Sequence, residues 1–142
     1  KINKGETLGV ILLASFLFYT ENKFYWVILH VGGVTFLADR FVLFLKKTIS
    51  RKRPLIKVMN SEDKNPDMKH SFPSAHAANS MVSIFILVTV YHYSPLFFAF
   101  SIFAGVGRLI TLHHFLIDIL GGWSIGLLIG LLNLGVMYLL AG

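Results

Sequence analysis

The chain has 142 residues, 13 Lys+Arg against 7 Asp+Glu, and no cysteine. It is 55% hydrophobic and only 14% charged, with 13 phenylalanines, whereas a soluble domain runs about 45–50% apolar and about 25% charged. These figures exclude a water-soluble globule, a disordered chain, a coiled coil, a zinc finger and a disulfide scaffold, and they turn the +6 net charge away from nucleic acid and toward lipid phosphates or an anionic substrate.

Apolar runs of about 20 residues span a bilayer as helices, and five candidates follow one another along the chain. The first, 7–19, is short and borrows flanking residues. It ends at Tyr19-Thr20-Glu21 rather than at a small-residue cleavage site, so no cleavable signal is expected. The second, 24–45, contains His30, Asp39 and Arg40. The one long polar stretch, 46–71, holds most of the charges with Pro54 and Pro66. The third run is 73–93, followed by a Ser94-Pro95 turn, and the fourth is 96–112. The fifth begins at Phe115 or Asp118 and reaches 140.

The runs are continuous rather than alternating, which excludes a barrel. The expected fold is all-α: a polytopic membrane helical bundle of about five transmembrane helices. The chain begins with Lys1 rather than Met; a sixth, preceding helix would fit an N-terminus on the inner side. One domain, 1–142, is expected, with an active-site loop at 46–73 and a second active-site segment at 105–118. Two spans separate these segments, so both must emerge on the same face.

Three polar clusters stand out from the spans. The first is Lys46-Lys47-Thr48-Ile49-Ser50-Arg51-Lys52-Arg53-Pro54. It reads either as a juxtamembrane basic patch on anionic lipid or as a phosphate clamp, arginine binding bidentately and lysine as a point charge. The second is Pro73-Ser74-Ala75-His76. It reads either as an ordinary helix start or as an anion site of free backbone N–H groups with a histidine able to donate a proton. The third runs from Arg108 to Asp118. His114 and Asp118 are four apart, the spacing of one helix face, so the carboxylate can hold one imidazole nitrogen and leave the other as nucleophile or base. A satisfied structural cluster is the other reading.

Taken together the clusters are far more specific. Lys46, six residues, Arg53-Pro54; then Pro73-Ser74-Ala75-His76; then Arg108, five residues, His114, three residues, Asp118: this order and spacing resembles the type 2 phosphatidic acid phosphatase superfamily, from about residue 46 to 122. The family usually has Gly where Ala75 stands, and Ser where Gly107 stands. Ala75 keeps the backbone N–H; Gly107 removes one hydroxyl contact to phosphate.

The resemblance implies a role for each matching position. His114 is the nucleophile that forms a phosphohistidine, and Asp118 orients it. His76 is the general acid for the leaving group. Lys46, Arg53 and Arg108 clamp the phosphoryl oxygens, with Ser74 and the Ala75 N–H completing the site. Neither a metal nor another cofactor is implied. Three cations and a helix N-terminus can neutralise the equatorial oxygens themselves.

The expected substrate is a membrane lipid phosphate: phosphatidylglycerophosphate, undecaprenyl diphosphate or lipid A 1-phosphate. Arg51, Lys52, Lys57, Lys64 and Lys69 suit a polyanionic headgroup. Bacterial relatives place the site on the periplasmic face of the inner membrane, and the same is expected here. A non-catalytic protein that binds or moves anionic lipid is the competing reading; it would need neither His114 nor Asp118. His30, His92, Asp39 and Arg40 match no motif, and His113 points about 100° away from His114 on a helix. Trp26, Tyr91, Tyr93 and Trp123 read as interface anchors or core. Gly121-Gly122, Gly126 and Gly130 read as close helix packing.

Overall fold

The computed structural model describes residues 22–51, 70–111 and 114–141. Among them the chain is all-helical, with no strand. We label the helices α1 (Asn22–Ile49), α2 (Ala75–Thr89), α3 (Phe98–Ile110) and α4 (Leu116–Ala141), with a short 3-10 turn at Pro95–Phe97 before α3. They correspond to the second to fifth expected runs. The run at 7–19 and most of the loop, including Arg53, lie outside the described residues.

Two boundaries differ from expectation. Helix α1 continues past 45 through Lys46 and Lys47 to Ile49, so the loop begins at Ser50. Cations in a last turn face the negative end of the helix dipole, which favours that extension. Ser50 then takes φ 46°, and its N–H returns to the Lys46 carbonyl at 3.0 Å, a left-handed C-terminal stop. Helix α2 is shorter than its run. It starts only after Ser74, which caps it in the extended region, and stops at Thr89, with His92 at φ 57° shortly after.

Pairwise contacts give the helix directions. Between α1 and α2 they run His30–Tyr91, Thr35–Ser83 and Asp39–Asn79, so these two are antiparallel. Between α2 and α4 they run Ser74–Gly122, Ala78–Gly126 and Phe85–Gly130, so these are parallel. Helix α3 meets α2 at Ser101–Ser80 and, further along, at Ala104 beside Ala75 and His76, so it is antiparallel to α2 and hence to α4, which it touches at Gly105 against Ile119 and Trp123. The C-terminal ends of α1 and α3 and the N-terminal ends of α2 and α4 therefore gather at one end of the bundle. That is the arrangement the span count required of segments 46–73 and 105–118.

The seam between α2 and α4 is glycine-made. A Cβ on Gly122 would sit 2.5 Å from the Ser74 carbonyl oxygen, and one on Gly126 would sit 2.6 Å from that of Ala78. Gly122, Gly126 and Gly130 are all buried; their spacing is the small-residue stripe that lets two helix backbones approach closely. The core beside the seam is Ala38, Val82 and Ile86. Outward, the bundle is apolar: Trp26, Phe36, Phe103, Leu132 and Leu139 are all exposed. Segments Phe24–Ile49 and Leu116–Ala141 are long and apolar enough to cross a membrane, while Ala75–Thr89 and Pro95–Ile110 are apolar but shorter.

Candidate active site

The gathered end of the bundle holds most of the sequence-predicted residues, and Asp118 is its hub. Asp118 lies in the first turn of α4 and is fully buried. One carboxylate oxygen, Oδ2, accepts the Phe115 backbone N–H at 2.7 Å, which is half of a capping box closing the start of α4. The same oxygen accepts the Ser71 hydroxyl. The other, Oδ1, faces Arg51 Nη1 at 3.3 Å, an ion pair without hydrogen-bond geometry. A buried carboxylate is tolerated only with such partners.

His114 Nδ1 lies 3.7 Å from Asp118 Oδ2, with both side chains buried. The four-residue spacing of this pair predicts one shared helix face. The structure corrects that: α4 begins at Leu116, after His114. The two meet because the chain turns into the helix start while the carboxylate reaches back over it. At 3.7 Å the contact is electrostatic; a hydrogen bond requires an approach to about 3 Å.

The N-terminus of α2 is fastened to the same hub. The Ser74 backbone N–H donates to the Asp118 carbonyl at 2.9 Å. Ser74, fully buried, caps α2 by accepting from the Ala77 N–H at 3.4 Å. Ala75 is the first residue of the helix and His76 the second. His76 is exposed, and lines a cavity between α1 and α2 together with Asp39 and Asn79. Helix starts present unused N–H groups and the positive end of the helix dipole, so an anion brought here meets backbone donors beside an imidazole.

The cations come from two other elements. Lys46 is buried in the last turn of α1, and Arg108 is half-buried in the last turn of α3. Thus α1, α2, α3 and the start of α4 each bring a predicted residue to one end, and Arg53 is the predicted residue outside the description. Among the described residues no group of three or more His, Asp or Glu is disposed to hold a metal ion.

Two residues in this cluster were not anticipated in their places. Ser71 read as the last residue of the loop, yet it is fully buried on Asp118. Arg51 read as a headgroup cation, yet its guanidinium pairs with Asp118 and stacks over the Phe115 ring at 4.9 Å. Arg51 had a signal, as a cation beside the motif; an isolated serine had none.

A family model described as the PAP2 superfamily matches residues 24–140. No curated protein and no solved structure matches the chain. The family match covers most of the chain, so the chain belongs to the PAP2 superfamily. It is accordingly a phosphatase, a phosphoric monoester hydrolase.

Proposed function

We propose that this chain is an integral membrane lipid phosphate phosphatase working through a phosphohistidine, with no metal in the reaction. The observation that carries the reading is the convergence on Asp118 of Ser71, Arg51, His114 and the α2 start. It occurs at one end of a bundle whose flanks expose Trp26, Phe36 and Leu132. A phosphate held there stays within reach of a lipid whose tails lie against the apolar flank.

In this reading the phosphoryl group lies over the α2 N-terminus. Lys46, Arg53 and Arg108 offset its charge, and Ser74 with the Ala75 N–H completes the cradle. The His114 imidazole attacks phosphorus with its lone pair while the bond to the leaving oxygen breaks. Asp118 fixes the tautomer and stabilises the imidazolium character that develops. His76 gives the leaving oxygen its proton. Water then attacks the phosphohistidine, His76 takes the water's proton, and inorganic phosphate departs as the N–P bond breaks. The loose transition state asks mainly for positioning and charge neutralisation, which these groups offer.

The natural lipids we propose are phosphatidylglycerophosphate, undecaprenyl diphosphate or lipid A 1-phosphate, handled on the periplasmic face of a bacterial inner membrane. The test is phosphate release by detergent-purified protein from a panel of these lipids and phosphatidic acid, in EDTA, beside His114→Ala. Release that survives EDTA and vanishes in the variant is expected. Equal release by the variant, or none from any lipid, would sink the reading and favour a non-catalytic lipid-binding protein.

A further inference from the structure

The cavity that His76 lines continues away from the phosphoryl site along the α1–α2 seam. It measures about 540 Å³ and shares Thr35, Asp39, Asn79 and Ser83 with a larger neighbour of about 660 Å³. The phosphatase reading uses none of these four residues. Asp39 precedes Lys46 by seven residues, and Asn79 follows Ala75 by four. At 1.5 Å rise per residue Asp39 and Asn79 lie about 6–10 Å inward from the helix ends that would hold phosphate, and Thr35 and Ser83 about 12–16 Å. A lipid entering from the phosphate end meets Asp39 and Asn79 first.

The hydrogen-bonding capacity of the seam is lopsided. Ser83 donates to the Asn79 carbonyl at 2.7 Å, so Thr35 must be the donor in the 2.7 Å Thr35–Ser83 contact. Asn79 Nδ2 donates to Asp39 Oδ1 at 3.0 Å. A carboxylate only accepts, so that bond fixes which end of the amide faces it. Arg40 Nη2 occupies Asp39 Oδ2 at 2.9 Å. What remains is mostly acceptor: two further sites on the Asp39 carboxylate, and Asn79 Oδ1, which is buried and has no hydrogen-bond partner among the described residues. Of these four side chains, one Asn79 N–H is the only donor left. A fully esterified glycerol backbone would press ester oxygens onto these acceptors and leave both sides unsatisfied, which is costly once a bound lipid excludes water.

Resting on the phosphatase reading and refining it, we propose that the Thr35–Asp39–Asn79–Ser83 seam is a subsite for the lipid backbone next to the phosphate. It selects lipid phosphates that carry a hydroxyl or amide N–H there over fully esterified or purely hydrocarbon ones. Asp39 and Asn79 are specificity-determining residues in this subsite; neither touches the reacting atoms.

The test uses the purified full chain in mixed micelles and two matched pairs of lipids. Lysophosphatidate against its 2-deoxy analogue probes a hydroxyl. Ceramide 1-phosphate against its N-methyl analogue probes an amide N–H. In at least one pair the donor-bearing lipid should have a kcat/KM about tenfold higher, the effect of one hydrogen bond to a charged or buried acceptor. Asp39→Asn and Asn79→Ala should each bring that ratio to about one. The ratio is read within one preparation, so loss of folded protein cancels. Ratios near one in both pairs for the unmodified chain, or a ratio that persists in both variants, would overturn the subsite. No release from these four lipids by a preparation that still hydrolyses phosphatidylglycerophosphate or lipid A 1-phosphate would overturn the subsite alone; no release from those lipids either would overturn the phosphatase reading, and the subsite with it.

Discussion

Among the polar clusters that interrupt this apolar bundle, two centre on different groups, and each contains a histidine. In the first, His30 on α1 bonds Tyr91 Oη through Nδ1 at 2.9 Å and Asn133 Oδ1 through Nε2 at 3.1 Å. Those partners lie 61 and 103 residues away. Both ring nitrogens are engaged by neutral groups, and the ring also stands edge-on to Tyr91 at 5.7 Å. In the second, the hub is a carboxylate. Asp118 gathers a hydroxyl, a backbone N–H, a guanidinium and, at a looser 3.7 Å, the His114 ring. The first cluster ties the ends of helices together with contacts of ordinary length. The second assembles opposite charges at helix ends and holds the His114 Nδ1 3.7 Å from its carboxylate, beyond hydrogen-bond length. A polar group in an apolar bundle is thus a brace when its bonds are complete and neutral. It is a candidate for chemistry when charge converges on it and its geometry can still tighten.

The comparison breaks most sharply at His114. His114→Ala should lower phosphate release by about 10⁴-fold or more, as removal of a covalent nucleophile does, with the folded yield in detergent little changed. Retention of even a tenth of the activity would put His114 on the same footing as His30. Asp118→Asn is the next largest. It preserves shape but loses the charge that orients the ring, and about 10²–10⁴-fold in kcat is expected. It also weakens the pairing with Arg51, so a lower melting temperature should accompany the kinetic loss. The proposed two-histidine mechanism adds a bell-shaped pH dependence of kcat/KM, because it needs one imidazole neutral to attack and the other protonated to donate. A flat profile between pH 5 and 9, with chemistry limiting, would remove His76 or His114 from its role.

Much of this was legible in the residue order because motif spacing encodes which helix ends must meet. The four described runs, their antiparallel order, and the gathering of Lys46, Ser74, Arg108, His114 and Asp118 at one end all follow from counting spans. Three things did not. The interval between His114 and Asp118 suggests a shared helix face, but a four-residue interval has that meaning only inside a helix, and here the helix starts between them. Ser71 was invisible because a lone serine before a motif has no period or charge to mark it. Asp39 and Arg40 match no motif, and nothing in their spacing points to Asn79. Adjacency constrains the Cβ directions, but a long arginine folds back to its neighbour at 2.9 Å, and the carboxylate still reaches Asn79 on the next helix.

The glycine seam sharpens the comparison from the packing side, with a smaller effect. Gly122 and Gly126 are both buried against backbone carbonyls of α2, so a methyl group at either should cost about 1–3 kcal/mol by overpacking. Their consequences should separate. Gly122 abuts Ser74, the cap that is fastened to Asp118, so Gly122→Ala should lose activity beyond its loss of stability. Gly126 abuts Ala78, one turn further from the hub, so Gly126→Ala should lower the melting temperature while the folded fraction keeps its kcat. Equal kcat losses in the two variants would mean that the α2 start is not held by the seam.

The smallest expected effect comes from the brace. Tyr91→Phe removes the hydroxyl that engages His30 Nδ1 at 2.9 Å and nothing else. One part-buried neutral hydrogen bond contributes about 1 kcal/mol, which in a domain of this size lowers the melting temperature by about 4 °C. The Asn133 bond to Nε2 remains, so the ring keeps one tether and α1 stays in register with α4. Because this cluster sits at the end of α2 away from Ser74, kcat for any lipid should change less than about threefold, under 1 kcal/mol of barrier. Differential scanning of the detergent-solubilised variant, followed by kinetics on the same sample, reads both quantities. A large loss of kcat with an unchanged melting temperature would reverse the assignment, giving the His30 cluster a part in turnover rather than in holding the helices.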